Sequence, residues 1–194
     1  MYDRTTVPHR LAPNPAVDSR SLSNDMRLKW SQHVYWTRML LLSIAHRLPD
    51  LEVVTARLMQ NPNDIAGIFA DYYAPAQAET VAKLLTEHLQ IGRDLIVALR
   101  DGHQAEAEAL NRAWYINADQ MAHAFSGMSP YYGQQEMRDM LYRHLDLTKQ
   151  EVAMRLGRNY VADIKAFDAV EAEAMDMADG FSLGIIRQFP QRFC

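Results

Sequence analysis

The spacing of apolar residues constrains this chain more than any other feature. From Asn24 onward they recur at i, i+3, i+4 and i+7, the period of one helical face, and proline or glycine interrupts the pattern every ten to thirty residues or so. No stretch alternates apolar and polar residues as a half-buried strand does, and the connections are too short for crossovers over a sheet. The spacing predicts helices over about 25–47, from 50 to about 61, and over about 75–101, 104–125, 134–156 and 161–187. Asp50 is placed to cap the second and Pro62 interrupts it, while Pro75 opens the third at a first-turn position. Gly102, Gly157 and Pro190 mark later ends. Long rods joined by short turns pack antiparallel, so the predicted fold is all-α, an up-and-down antiparallel helical bundle. Residues 1–23 carry Pro8, Pro13 and Pro15 among polar residues without periodicity. They are expected to form a flexible N-terminal arm, leaving 24–194 as a single helical-bundle domain.

Composition narrows the function classes. A net charge of -4 leaves no basic surplus to neutralise phosphates, which argues against nucleic acid as a partner. The longest apolar stretch, Met39 to Ala45, is far shorter than the roughly 20 residues that cross a bilayer, so no membrane span is expected. The N-terminus lacks the apolar segment of a signal peptide, and the one cysteine, Cys194, has no partner for an intrachain disulfide. A cytoplasmic location is the expectation, with a small molecule as ligand and self-association left open.

A bundle core built for stability alone is aliphatic, so polar residues whose helical phase points inward carry the information. His33 stands three residues after Trp30 and four before Thr37, within the stripe of the first helix, and His88 lies among Leu84, Ile91 and Leu95. On the helix over 134–156, His144, Thr148 and Glu151 occupy i, i+4 and i+7. On the last helix the inward stripe is read as Ile164, Phe167, Glu171, Met175, Ala178 and Ile185, with Asp168 at its edge. Asn117, between Trp114 and Met121, faces inward on the helix before it. Arg38 is read as solvated or paired between helices.

An unpaired buried carboxylate is very costly and an unsatisfied imidazole costs a few kcal/mol. A set of such groups must neutralise itself through hydrogen bonds or surround a cation. The metal reading takes His33, His88, His144, Glu151 and Glu171 as ligands, with Asp64, Asn117, Thr148 and Asp168 as supporting groups. Imidazole with carboxylate suits iron, manganese or zinc, and the lack of a thiolate pair disfavours cysteine-type sites. The Glu-x-x-His pairs of ferritin-like bundles and the His-Glu-x-x-His of zinc proteases are absent, as are glycine-rich phosphate loops and the Gly-x-Ser-x-Gly elbow.

A short internal repeat is present. Leu84 to Leu89 aligns with Met140 to Leu145, and a tyrosine pair, Tyr72 and Tyr73 or Tyr131 and Tyr132, precedes each copy. A duplicated helical hairpin would place His88 and His144 in equivalent positions.

Several segments together carry a resemblance: Trp30 to Arg38 with His33 and Trp36, Asn63 to Ile65, Glu87 to Leu89, Trp114 to Asp119, His144 to Thr148, and Gly184 to Pro190. Over about residues 27–193 the chain resembles a family of small all-helical bacterial proteins, whose members often carry automatic labels such as acetylglutamate kinase or glycosyltransferase. The resemblance implies the helical fold. A kinase of that name needs an α/β fold and a glycine-rich nucleotide site, and the sequence has neither. Three readings stand. One is a metal-binding helical bundle whose chemistry is metal-assisted hydrolysis or iron or manganese redox. The second is a non-enzymatic interaction protein whose buried polar network is structural. The third is a metal or oxygen carrier that uses the same residues without turnover.

Overall fold

A computed structural model describes residues 18–193. It contains α1 (Ser19–His46), α2 (Leu51–Leu58), α3 (Asn61–Ala70), α4 (Pro75–Asp101), α5 (Gln104–Met128), α6 (Gln134–Leu156) and α7 (Tyr160–Gln188), followed by a 3-10 turn, Pro190–Arg192. There is no strand among the described residues, and the fold is an all-α bundle, as the apolar period predicts. No described helix is long and apolar enough to cross a membrane. Helix α1 starts inside the segment expected to be an arm, because Asp18 caps it by accepting a hydrogen bond from the Arg20 amide. The rest of that arm, residues 1–17, lies outside the described residues.

Pro62 does not end a helix. It sits in the first turn of α3, where its missing N–H is no loss, and the chain turns between Leu58 and Asn61 to begin that helix afresh. The short pair α2 and α3 thus replaces one long rod. Helices pack in chain order, α3 on α4, α4 on α5, α5 on α6 and α6 on α7, and α7 returns to α1 to close the ring. One end of the core is aromatic: Trp30 stacks on Phe181, and Phe69, Phe125 and Tyr132 surround them. The other is aliphatic, with Leu40, Leu41, Ile44, Leu58 and Ile96.

The phase of α7 differs from the expected stripe. Its buried face carries Asp163, Val170, Glu173, Ala174, Met177, Ala178, Phe181 and Ile185, while Ile164 is 52% exposed. Alanine and methionine lie all round this helix, so two apolar stripes compete. The one carrying Asp163 and Glu173 goes inward because both acids meet buried partners there.

Among the glycines, Gly184 has the least room for a side chain. A Cβ there would fall 2.1 Å from the ring of Tyr132, which is itself buried and donates its hydroxyl to the Phe181 carbonyl at 2.7 Å. Gly180, one turn away, has open space around it. We expect Gly184→Ala to cost about 2–3 kcal/mol and lower the melting temperature by roughly 5–10 °C. Gly180→Ala should be neutral or slightly stabilising. Thermal denaturation of both variants tests the packing, and equal effects would contradict it.

Candidate metal centre

Three of the long helices each send one histidine to a common point. His33 from α1, His88 from α4 and His144 from α6 are buried, and their ring centroids form a nearly equilateral triangle with sides of 6.1, 5.7 and 5.9 Å. One nitrogen from each lies within 4.8 Å of the other two. An ion held at about 2.1 Å from three imidazole nitrogens needs them about 3.4 Å apart, so the rings would draw inward on binding one.

The outer nitrogens are all engaged. His33 Nδ1 bonds to Asn61 Oδ1 at 2.9 Å, His88 Nδ1 to Asn117 Oδ1 at 3.3 Å, and His144 Nδ1 to Glu173 Oε2 at 3.1 Å. The orientation of the two amides is fixed independently, since Asn61 Nδ2 donates to the Lys29 carbonyl and Asn117 Nδ2 donates to the Leu84 carbonyl. Each amide therefore turns its oxygen to the imidazole, and the acceptor at every ring is an oxygen. Each Nδ1 therefore carries a proton, and in the neutral form of a ring the Nε2 is left with a free lone pair. Burial pushes His33 down to about 4, helped by the neighbouring His144, and pushes His88 well below its ordinary value, helped by His144 and His33. Both rings are neutral at pH 7, the form in which imidazole binds metals.

The two faces of the triangle differ. Three residues before each histidine stand Trp30, Leu85 and Leu141, all buried, so that face is sealed by the core. Four residues after each stand Thr37, Gly92 and Thr148, and these border a small cavity of about 20 Å³. The Thr148 hydroxyl donates back to the His144 carbonyl, but Thr37 Oγ1 is buried without a partner. Gly92 makes room for Trp114, whose ring would lie 3.1 Å from an added Cβ and whose indole N–H holds the His88 carbonyl at 3.0 Å.

These positions follow one period. His33, His88 and His144 are spaced by 55 and 56 residues, and their partners Asn61, Asn117 and Glu173 by 56 and 56. Each partner follows its histidine by 28 or 29 residues, on the next rod of the ring. The centre is therefore assembled from three helical hairpins, α1 with α2 and α3, α4 with α5, and α6 with α7, each giving one imidazole and the oxygen that orients it. The sequence repeat catches only the second and third of these, because the first copy shares no run of residues around His33.

Other expected site residues lie elsewhere. Glu151 is buried but pairs with Arg38 at 2.7 Å, in a network where Arg38 and Arg155 both hold Asp163. Burial raises the Glu151 carboxyl against the pull of Arg38. Burial also raises Asp163, but Arg38 and Arg155 more than offset it and its carboxyl falls below the usual range. Arg38 is thus paired between helices. Glu171 is displaced by the phase of α7 to the bundle's margin, where it accepts a hydrogen bond from Tyr35. Asp168 is exposed, and Asp64 is partly exposed and pairs with Lys29 at 3.9 Å. Asn117 orients His88 and Thr148 borders the cavity. Asn61 and Glu173, not singled out from the sequence, complete the set, and the spacing shared with Asn117 is the signal that could have found them. Compared with family models, curated proteins and solved structures, the chain gives no match, so the centre is read from its own geometry.

The neutral rings make stability depend on pH. In the unfolded chain His33 binds a proton below about 6.5. In the fold it stays neutral down to about 4. The unfolded state therefore holds more protons across that interval, and stability is full above pH 6.5 and falls as pH drops toward 4. His33 alone accounts for about 3 kcal/mol of this. Denaturant unfolding of chelator-treated protein at a series of pH values should show the fall, and a flat profile from pH 7 to 4.5 would contradict it.

Proposed function

We propose that this chain is a metal-binding helical-bundle protein. One divalent ion, iron, manganese or zinc, is held by Nε2 of His33, His88 and His144, with a further coordination position on the side of Thr37. The observation that carries this reading is the lock on each ring: three Nδ1–H groups point outward to oxygens, so three lone pairs face inward within reach of one cation. Imidazole nitrogens that converge from three helices in an otherwise apolar core suit a cation, which would bind them directly.

The acceptor set also suits an ion. Glu173 behind His144 is the carboxylate of a carboxylate–histidine–metal chain, which raises the basicity of the ligand nitrogen. Three neutral imidazoles leave the ion a position for water or another ligand, as in catalytic rather than closed sites. Zinc there would act as a Lewis acid, and iron or manganese could also exchange electrons. The residues bordering the cavity include no carboxylate to serve as a general base, so any chemistry belongs to the ion and its bound ligand.

Elemental analysis of freshly purified protein should find about one first-row ion per chain. Alanine in place of any of the three histidines should remove it. Glu151→Gln and Glu171→Gln should retain it, since both acids lie in other networks, while Glu173→Gln should weaken affinity about 10- to 100-fold. Protein that carries no metal and whose melting temperature is unmoved by zinc, iron or manganese would overturn the reading.

A further inference from the structure

We infer that the open position of this centre takes a neutral, gas-sized ligand, a diatomic such as dioxygen or nitric oxide, with the Thr37 hydroxyl as its hydrogen-bond donor. The inference rests on the metal-binding reading above and adds the class of ligand.

Size is the first argument. The cavity on the open side measures about 20 Å³. That is room for one water or a diatomic molecule, against the roughly 300–1,000 Å³ of sites for organic ligands. Its lining is the second. Beyond the histidines and the two threonines, Leu40, Leu58, Leu89 and Ile96 close it with hydrocarbon. The one charged side chain at its border, Arg93, is held by Asp94 through Nε at 2.9 Å and NH2 at 2.7 Å. A carboxylate, phosphate or sugar would have to bury its polar groups against leucine and isoleucine, at several kcal/mol each.

The third argument is the orphan hydroxyl. Thr37 Oγ1 is buried on the cavity side of the triangle with no partner, while its counterpart Thr148 is satisfied by the His144 carbonyl. A buried hydroxyl with an unused O–H is positioned to donate to a ligand atom on the ion. Arg93 borders a larger surface groove together with Ile44, Leu51, Thr55 and Val97, so the same side chain stands between the groove and the cavity. A small apolar solute passes such a wall far more easily than an ion does.

The test loads the full chain with ferrous iron under anaerobic conditions and adds nitric oxide. The expected result is the EPR signal and visible bands of a high-spin ferrous nitrosyl, about one per iron, with no spectral change from imidazole or acetate at the same concentration. Thr37→Val, which keeps the shape and removes the hydroxyl, should retain iron and lose nitric oxide about tenfold faster. Ile96→Phe, which fills the cavity, should retain iron and give no nitrosyl. If Ile96→Phe does not fold, the Thr37→Val rate and the ligand comparison decide. Iron present with no nitrosyl, or imidazole and acetate binding as readily, would overturn the gas-sized ligand and leave the metal reading standing. An unchanged dissociation rate in Thr37→Val would remove Thr37 from the role. Failure to retain iron, manganese or zinc at all would overturn both.

Discussion

Three hydrogen bonds from imidazole Nδ1 to buried oxygens govern the centre of this bundle. They select one tautomer at each ring and so decide what faces the middle. The selection works because the oxygens are not free to become donors. Asn61 and Asn117 have their NH2 groups tied to the carbonyls of Lys29 and Leu84, on the rods that also carry His33 and His88. Each amide therefore bridges a rod to its own histidine, linking helix register to ring orientation. In the third copy a carboxylate takes the place of the amide, and it has no N–H to misplace.

The remaining architecture keeps these rods in register. Toward the aromatic end, Trp30, Leu85 and Leu141 sit three residues before the histidines and close one face with large side chains. Beyond the cavity, Arg38, Glu151, Arg155 and Asp163 tie α1, α6 and α7 together. Two cations and two anions leave that network with no net charge. Exchanging such a buried network for hydrocarbon is often neutral or stabilising, so its contribution is better placed in specificity of pairing than in stability. A guanidinium that reaches Glu151 and Asp163 at once permits one alignment of three helices, which is the alignment that brings His33 and His144 together.

Helix positions were legible in the sequence because apolar period and punctuation agree for most of the chain. Pro75 and Gly102 fall where their backbone preferences place them, and five of the six expected helices begin and end within three residues of the observed bounds. The three histidines were legible for the same reason, each standing in a clean apolar stripe. Where the stripe is not clean the phase fails. Helix α7 is rich in alanine and methionine, two faces are apolar, and the choice depends on partners outside it, His144 for Glu173 and Arg38 for Asp163. Glu151 illustrates the opposite limit. Its inward direction is correct, but periodicity reports only that a group is buried and not which of two layers it joins. Asn61 was hidden by Pro62, which reads as an interruption and is in fact the start of a helix.

The departures from threefold repetition bear on what the centre can hold. At the orienting position the copies carry Asn61, Asn117 and Glu173, and four residues after the histidines they carry Thr37, Gly92 and Thr148. A repeat maintained only for packing has no reason to bury one carboxylate behind one imidazole. With a divalent cation between the rings, that single carboxylate reduces the charge of the buried assembly from two to one without occupying a coordination position, which lowers the cost of keeping the ion in a low-dielectric core. The second departure shapes the open side. Glycine at 92 admits the Trp114 indole as one wall, and of the two hydroxyls that remain only Thr37 lacks a partner. On the proposed metal reading, one flank of the ion would tune its charge and the other would offer a single hydrogen bond, the division expected of a centre that binds a small neutral molecule rather than one that merely fastens helices together.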